Sequence, residues 1–222
     1  MPALAGLMLP GCAGSHSTLD PAGPSAQAIA TLWWIMLGGA TAIFIATSAA
    51  VVAAWVRPQI FGARAPRLLI LWGGLILPGV ILVALVLSAF ALGERLIARP
   101  GSDMLAIAAE GRQWQWTFRY PQTDGHETVD VLHIPAGREV EIAVTSTDVI
   151  HGFWVPQLGG KIDAVPGHVT RIRLRADRPG SYGGLCAEFC GVGHGVMAFT
   201  VIAHAPDDYD ALFVRLAAGD LR

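Results

Sequence analysis

The chain has 222 residues, of which 53% are hydrophobic and only 14% are charged. This composition is too apolar for an average soluble domain, and the chain is too short for a polytopic transporter. The formal net charge of −2 gives no reason to expect a nucleic acid partner. The sequence therefore predicts at least one membrane-spanning segment.

Residues 1–25 are predicted to be a flexible N-terminal segment, because Gly, Ser and Pro dominate its second half. Within it, Leu-Pro-Gly-Cys at residues 9–12 is similar to the sequence around the lipidated cysteine of bacterial lipoproteins. No lysine or arginine precedes Cys12 to form the positive region of a signal peptide, and Pro10 is unusual there. Two alternatives therefore stand for Cys12, a candidate lipoprotein signal and a free cysteine in a flexible segment.

Two long windows, residues 21–56 and 68–93, contain no charged residue. Each window exceeds the roughly 20 residues that a helix needs to cross the hydrocarbon core of a bilayer. Two buried helices of a large soluble core are the weaker alternative, because such helices rarely run so far without a charge. Residues 26–94 are therefore predicted to form a transmembrane helical hairpin.

The loop at residues 57–67 indicates how the hairpin is oriented. It holds three arginines and no acid, whereas the outer flanks carry Asp20 and Glu94. Loops rich in Lys and Arg stay cytoplasmic. We therefore expect a two-pass protein of the bacterial inner membrane, with both termini and residues 95–222 in the periplasm. Pro78 is expected to bend the second span.

Residues 95–222 are predicted to form a separate all-β periplasmic domain. Several short β-branched or aromatic runs are separated by turn residues, and many short strands indicate a sandwich or barrel. Acids in the first turn and apolar residues at helical spacing predict a closing helix at residues 206–216. The predicted strands are 113–120, 128–134, 139–145 and 169–174, with turns at 121–125, 135–137 and 166–167.

From residue 100 onward the chain has 10 basic and 15 acidic residues. An acidic face would suit a basic protein partner, although an ordinary solvated surface explains the same charge.

Residues 184–197, GLCAEFCGVGHGVM, concentrate soft and borderline metal ligands in one short stretch. The glycines between them allow a loop to fold its side chains around one centre. A histidine 35 residues upstream follows a strand-like segment, and a sandwich could bring it beside this loop. The candidate ligands are Cys186, Glu188, Cys190, His194 and Met197, together with the upstream His151.

The residue types leave three alternatives for this cluster. Thiolate with imidazole and thioether selects copper over calcium, magnesium or manganese, and two thiolates with two imidazoles suffice for two sulfur-bridged copper ions. A disulfide between Cys186 and Cys190 is a second alternative in an oxidising compartment. Zinc bound by a Cys2His2 set is the third. Met197 taken alone would be a core residue.

The ordered motif of a histidine followed by Cys-x-Glu-x-Cys-x-x-x-His-x-x-Met resembles that of cytochrome c oxidase subunit II. Two further blocks carry the resemblance, GRQWQWTFRY at residues 111–120 and DVIHGFWVPQLGGKIDAVPG at residues 148–167. It extends over nearly the whole chain, from the first span to the final helix. The fold it implies is a two-helix transmembrane hairpin plus an all-β cupredoxin-like sandwich.

The resemblance also implies roles for the ligands of a dinuclear copper A centre. Cys186 and Cys190 would bridge two copper ions. The side chain of Glu188 would be free to help bind a magnesium ion at the boundary with subunit I. The remaining ligands would be His151 and His194, one on each copper, Met197 as a weak ligand and the backbone carbonyl of Glu188.

Residues 111–120 resemble an aromatic strand of the family, and by this resemblance Trp114 would be the point where electrons enter from cytochrome c. Plain packing in the sandwich is the alternative for both Trp114 and Trp116, since paired aromatic residues usually fill cores. Asp148 and Asp163 are candidates for the docking face or for the boundary with subunit I.

The resemblance implies an electron-transfer subunit that passes electrons from cytochrome c to the heme-bearing subunit I for reduction of oxygen to water. The expected partners are cytochrome c, subunit I with its hemes and copper B, subunit III and the lipid bilayer. The alternatives are the copper subunit of a nitric oxide reductase-like complex and a membrane-anchored copper chaperone or thiol-redox protein. A quinol oxidase subunit of the same fold would have lost the copper ligands.

The chain departs from the family pattern at several positions outside the ligand set. Leu69 stands three residues before Trp72, where a glutamate often marks a proton pathway, so a proton-uptake role is in doubt. Arg112, Leu185 and His168 replace other common residues. The histidines predicted to be structural or on the surface are His16, His126, His133, His168 and His204.

Overall fold

The computed structural model describes residues 11–62, 64–96, 104–121 and 125–217. The chain forms two compact units, one made of residues up to Ala30 together with those from Leu96 onward, the other of Thr31–Arg95. Residues 9 and 10 of the candidate lipoprotein signal lie outside the described residues, as do positions 122–124 of one predicted turn. Cys12 is described, and it is exposed and free.

Two helical segments are long and apolar enough to cross a membrane, Pro24–Val56 and Ala65–Gly93. Most of their large apolar side chains are exposed, as expected for surfaces that meet lipid or other membrane helices. The helical elements of this region are α1 (Pro24–Val56), a 3-10 turn (Pro58–Ile60), α2 (Ala65–Leu68), a π-helical stretch (Leu69–Ile76) and α3 (Leu77–Leu96).

The π-helical stretch lies directly before Pro78. At its end the Leu77 N–H donates to the Trp72 carbonyl, five residues back. Pro78 has no N–H to donate, so the regular ladder is interrupted at the point where the sequence predicts a bend. The bend itself stays a prediction.

The other unit is a sandwich of two five-stranded sheets, with strand orders β3-β2-β1-β5-β8 and β4-β10-β9-β6-β7. The predicted cupredoxin-like fold class is therefore confirmed, and the predicted closing helix is found as α4. The elements are β1 (Leu105–Arg112), β2 (Gln115–Tyr120), β3 (His126–Val129), β4 (Val131–Pro135), β5 (Val140–Ser146), β6 (His151–Trp154), β7 (Ile162–Ala164), β8 (Thr170–Leu174), β9 (Gly180–Cys186), β10 (Ala198–His204) and α4 (Pro206–Ala217).

Each of the four predicted strands is present, but the run at 128–134 is divided between β3 and β4. The division falls at Asp130, whose φ of 56° is left-handed. Its carboxylate accepts a hydrogen bond from the Trp116 N–H at 2.8 Å, which stabilises this break. One predicted continuous strand is therefore two strands, which belong to different sheets.

Five strands were not predicted from the sequence. β1 contains three alanines and β9 three glycines, residues with little strand preference. β6 and β7 have only four and three residues. β10 carries a run of β-branched and aromatic residues, the pattern from which the other strands were predicted, and this run was overlooked. His151 was expected after a strand, whereas it is the first residue of β6, because pairing with β7 and β9 creates this strand.

An aromatic cluster fills the sandwich beneath the candidate ligands. The rings of Phe153 and Phe199 stack at 4.9 Å, and Trp116 lies 5.5 and 5.6 Å from them. Gly184 is required here, because a Cβ at this position would overlap the Phe199 ring. The His151 ring is 6.1 Å from that of Trp116, so the core directly supports the site.

The chain before α1 is held against the sandwich by backbone hydrogen bonds. The Ala22 N–H donates to the Gln157 carbonyl at 2.8 Å, and the Asp177 N–H donates to the Ala22 carbonyl at 2.9 Å. Gly23 packs so closely that a Cβ would overlap the Arg175 carbonyl. Because these contacts involve the backbone, no side-chain pattern in the sequence indicates them.

A pair of histidines joins β4 to β10 beside α4. Nδ1 of His133 and Nε2 of His204 are 2.8 Å apart, and the Tyr209 ring of α4 lies 6.3 Å from that of His204. Burial, followed by the charge of His204, lowers the pKa of His133 to about 4. Burial also lowers the pKa of His204, although Asp208 opposes this shift. One neutral ring can therefore donate to the other near pH 7.

We expect this pair to make stability fall in mild acid. The folded pKa of His133 lies below the ordinary value of about 6.5, so the unfolded chain binds more protons as the pH falls from about 6.5 to 4. Stability that is present above pH 6.5 should be lost across this window. Chemical denaturation of the full chain at several pH values should show a steeper loss for wild type than for H133N/H204N. Equal slopes would contradict the prediction.

Candidate metal centre

Backbone pairing of β6 with β9 places the candidate ligands at one end of the second sheet. His151 begins β6, Cys186 ends β9, and Phe153 is directly opposite Cys186. The loop that follows is closed by the Cys186 N–H, which donates to the Met197 carbonyl at 2.9 Å. The structure thus brings together residues that are far apart in the sequence, and every predicted ligand reaches the same place.

The two cysteine sulfurs lie at the centre of the cluster, 3.8 Å apart. This distance is far longer than the roughly 2.05 Å of a disulfide bond, and both cysteines are free. Each sulfur has a different imidazole beside it. The other distances are 3.9 Å from Cys186 Sγ to His151 Nδ1, 3.7 Å from Cys190 Sγ to His194 Nδ1, 3.7 Å from Cys190 Sγ to Met197 Sδ and 3.2 Å from Cys186 Sγ to the Glu188 carbonyl.

These distances are compatible with metal binding. Typical metal–sulfur and metal–nitrogen bonds of about 2.3 and 2.0 Å can both be made to an ion that lies between atoms 3.7 to 3.9 Å apart. Ligand atoms of His151, Cys186 and Cys190 lie within 4.8 Å of one another. His194 is not a member of that group and contacts Cys190 instead. Each sulfur therefore has its own imidazole at a distance compatible with metal binding.

Four of the donors are almost completely removed from solvent, whereas His194 is half-buried. His151 is 0% exposed, Met197 2%, and the two cysteines 3% each. Burial, followed by the hydrogen bond and charge of Cys186, raises the pKa of the Cys190 thiol to about 11. Near neutral pH this thiol is therefore protonated, and a bound cation would have to displace the proton. Buried soft donors of this kind favour copper among the biological metals.

Two tryptophans that look alike in the sequence have different environments. Trp116 is completely buried in the core, as the packing alternative predicts, whereas Trp114 is 42% exposed. The Trp114 Nε1–H donates to the Cys190 carbonyl at 3.2 Å, and Gln113 Nε2 donates to the same oxygen at 2.9 Å. A Cβ at Gly193 would overlap the Trp114 ring. Trp114 therefore covers the ligand loop and reaches the surface.

Glu188 presents different groups in two directions. Its carbonyl faces Cys186, as the resemblance implies for a backbone ligand. Its side chain, expected to be free for magnesium, lies 3.4 Å from the Lys161 Nζ, which is also 3.4 Å from Asp163. A cation is therefore already paired with these two carboxylates, and a magnesium ion would have to replace the Lys161 ammonium.

Asp148, a candidate docking or boundary residue in the sequence, lies at the surface with its side chain 26% exposed, and its carboxylate also contacts the site. Its Oδ1 is 2.8 Å from His151 Nε2, and its Oδ2 accepts the Gln113 N–H at 2.8 Å. Partial burial alone would raise the pKa of Asp148. Hydrogen bonds from Gln113, His151 and Val149 instead lower it to about 2. The spacing of three residues before a ligand histidine was the only sequence signal for this contact.

A two-sheet sandwich with thiol, imidazole and thioether donors at one end defines a cupredoxin-like domain as the class of protein. The family model for the periplasmic domain of cytochrome c oxidase subunit II matches residues 123–204. Quinol oxidase subunit 2 of Bacillus cereus is 32% identical over 92% of this chain and 74% of its own length. The chain therefore belongs to the cytochrome c oxidase subunit II family.

Two further comparisons agree with this family. Cytochrome c oxidase subunit 2 of Alkalihalophilus pseudofirmus is 35% identical over 96% of this chain and 66% of its own length. The crystal structure of the periplasmic domain of subunit II (CoxB) of Bradyrhizobium japonicum superposes with a TM-score of 0.51 at 27% identity, covering 55% of this chain and 99% of that one. The chain covers only 32% of the length of each of two other relatives that are also named cytochrome c oxidase subunit 2.

Free, buried cysteines lead to a test of the disulfide alternative. The metal-free chain, unfolded in denaturant, should show three reactive thiols. In the native state Cys12 should react fast with a thiol reagent, whereas Cys186 and Cys190 should react slowly because they are buried. Mass spectrometry of the labelled peptides distinguishes the sites, with C12S as the control. A single reactive thiol in denaturant without reductant would support a Cys186–Cys190 disulfide instead.

Proposed function

We propose that this chain is the electron-transfer subunit of a cytochrome c oxidase, which accepts electrons from cytochrome c and passes them to the heme-bearing subunit I. The observation that carries the proposal is the convergence of two thiols, two imidazoles and a thioether at one largely buried site, beneath a partly exposed tryptophan. A purely structural core has no need for so many soft donors.

The proposed cofactor is a dinuclear copper A centre. When bound, two copper ions would supply a carrier that gains and loses one electron with little change in geometry. The proposed ligands are His151, Cys186, Cys190, His194, Met197 and the Glu188 carbonyl.

The chain itself would hold the ligands of this centre in fixed positions and exclude water from them. The strands β6 and β9 fix its two ends, and the buried aromatic core prevents the ligands from moving inward. The side chains of Gln113 and Trp114 both donate hydrogen bonds to the Cys190 carbonyl. Fixed ligands reduce the reorganisation that accompanies electron transfer, and exclusion of water protects the thiols from side reactions.

The relatives are named both cytochrome c oxidase subunit 2 and quinol oxidase subunit 2. The complete donor set favours the function of a cytochrome c oxidase subunit over that of a quinol oxidase subunit. A chain that loads no copper has no need for this set of buried donors. The same set, continued to His194 and Met197, also disfavours a copper chaperone or thiol-redox protein, for which two cysteines and one histidine suffice.

Exposed apolar side chains surround the proposed point of electron uptake. In the ligand loop Val192 is 99% exposed, Val196 81% and Phe189 76%, next to the partly exposed Trp114. Clustered exposed apolar residues mark protein interaction sites. We infer that cytochrome c contacts this patch, while the net acidic charge of the domain steers a basic partner toward it.

The remaining parts of the proposal concern location and assembly. The two apolar helices would anchor the chain in the bacterial inner membrane, with both termini and the sandwich in the periplasm. Subunits I and III and lipid would cover the exposed helix surfaces. A magnesium ion at the boundary with subunit I would require Lys161 to release Glu188.

Loading the full chain with copper tests the proposed cofactor. Metal analysis should give two copper ions per chain, and electron paramagnetic resonance should show one unpaired electron shared by both nuclei. H151A and C190S should lose this signal and nearly all oxidase activity while the chain still inserts in the membrane. One copper per chain with a mononuclear signal, or full turnover in either variant, would contradict the proposal.

The exposed patch predicts where cytochrome c binds. V192E places a charge in the centre of the apolar patch and should raise the KM for cytochrome c about tenfold or more, without altering the copper signal. The matched control is V214E on α4, where the valine is 72% exposed but remote in sequence from the ligand loop. Steady-state kinetics of the assembled oxidase measure both variants. An equal KM in the two would place the docking surface elsewhere.

A further inference from the structure

Asp148 contacts two parts of the site with its two carboxylate oxygens. Oδ1 lies 2.8 Å from Nε2 of His151 and accepts the Val149 N–H at 2.6 Å. Oδ2 accepts the Gln113 N–H at 2.8 Å, from the turn between β1 and β2. One side chain therefore bridges a proposed metal ligand and the turn that carries Trp114.

The contact with His151 selects one tautomer of the ring. Nδ1 is the atom that faces Cys186, at 3.9 Å, so it must keep its lone pair to act as a ligand. The proton then lies on Nε2 and is donated to Asp148, as in other carboxylate–histidine–metal arrangements. Gly111 packs closely against the ring, since a Cβ there would lie 3.1 Å from it, and this contact limits how far the ring can turn.

The contact with Gln113 fixes the second part of the site. The backbone of Gln113 donates to Asp148, while its side chain and the neighbouring Trp114 indole both donate to the Cys190 carbonyl. Removing the Asp148 carboxylate would release the turn on one side. The indole would then lose part of what holds it over the ligand loop.

We propose that Asp148 is a positioning residue, which holds the His151 ring and the Trp114 turn in one fixed arrangement so that the exposed indole and the buried ligand keep a constant separation. The inference rests on the proposed function for its meaning in electron transfer. The hydrogen bonds of Asp148 to His151 and Gln113 lie within this chain, so they can be tested without copper. It differs from a docking role, which would require only an exposed charge.

The test compares D148N with D130N in the full chain. An asparagine at 148 keeps an acceptor oxygen at only one of the two positions, so its amide nitrogen would face either His151 Nε2 or the Gln113 N–H. Asp130 is the matched control, because its carboxylate also accepts a backbone N–H of this region, that of Trp116, without touching a proposed ligand. D148E, which retains both acceptors on a longer stem, provides a second variant if D148N folds poorly.

Two measurements on the metal-free chain test the arrangement itself. Nitrogen NMR should show His151 as the Nε2–H tautomer in wild type and a mixture of tautomers in D148N. Fluorine NMR of fluorotryptophan-labelled protein, with Trp114 assigned through W114F, should show a shifted or broadened Trp114 signal in D148N. D130N should change neither signal. An unchanged His151 tautomer or an unchanged Trp114 signal in a folded D148N would overturn the proposal.

Copper loading separates this inference from the proposed function. In a chain that binds two copper ions, D148N should lower copper affinity about tenfold to a hundredfold and shift the reduction potential, whereas D130N should leave both as in wild type. If wild type binds no copper pair, the proposed function fails while the two NMR results still decide the role of Asp148. A D148N chain with wild-type affinity and potential would overturn the positioning role.

Discussion

Two thiols held 3.8 Å apart in a nearly dry environment are the constraint on which the rest of the domain depends. Burial raises the pKa of the Cys190 thiol, so a cation that binds there must displace its proton. The pair can exist as two thiols, as a disulfide or as ligands of cations. The surrounding imidazoles, thioether and carbonyl favour the last of these. The sandwich, its glycines and its aromatic core all act to keep this arrangement in place.

Close backbone packing is the means by which this constraint is met. A Cβ at Gly152 would lie 2.8 Å from the Ala187 carbonyl carbon, so the ligand loop can pack on β6 only because this residue is glycine. Gly193 leaves the space that the Trp114 ring occupies, and Gly111 leaves room for the His151 ring. These glycines allow the backbone and the neighbouring rings to approach closely, and they do not serve to make the chain flexible. Larger residues would force the loop outward and separate the sulfurs from their imidazoles.

Polar support for the site comes from a small number of shared groups. The Cys190 carbonyl accepts from both Gln113 and Trp114, and the Asp148 carboxylate accepts from both His151 and Gln113. Gln113, in the turn between β1 and β2 of the first sheet, is thus hydrogen-bonded both to the ligand loop and to the segment before β6, which belong to the second sheet. Because each acceptor serves at least two donors, loss of one group affects two parts of the site, and the effects of neighbouring substitutions should not be additive.

The sequence alone determined the two apolar spans, the all-β class of the second unit and the composition of the ligand set, because these depend on local pattern and residue chemistry. It did not determine β6 or β9, since a four-residue strand and a glycine-rich strand exist only through pairing with neighbours. Only the tertiary structure distinguished exposed Trp114 from buried Trp116 and turned Asp148 toward His151. The position of Trp114 depends on its contact with Cys190, 76 residues away, and the Asp148 carboxylate is also held by Gln113, 35 residues away, which no local pattern encodes.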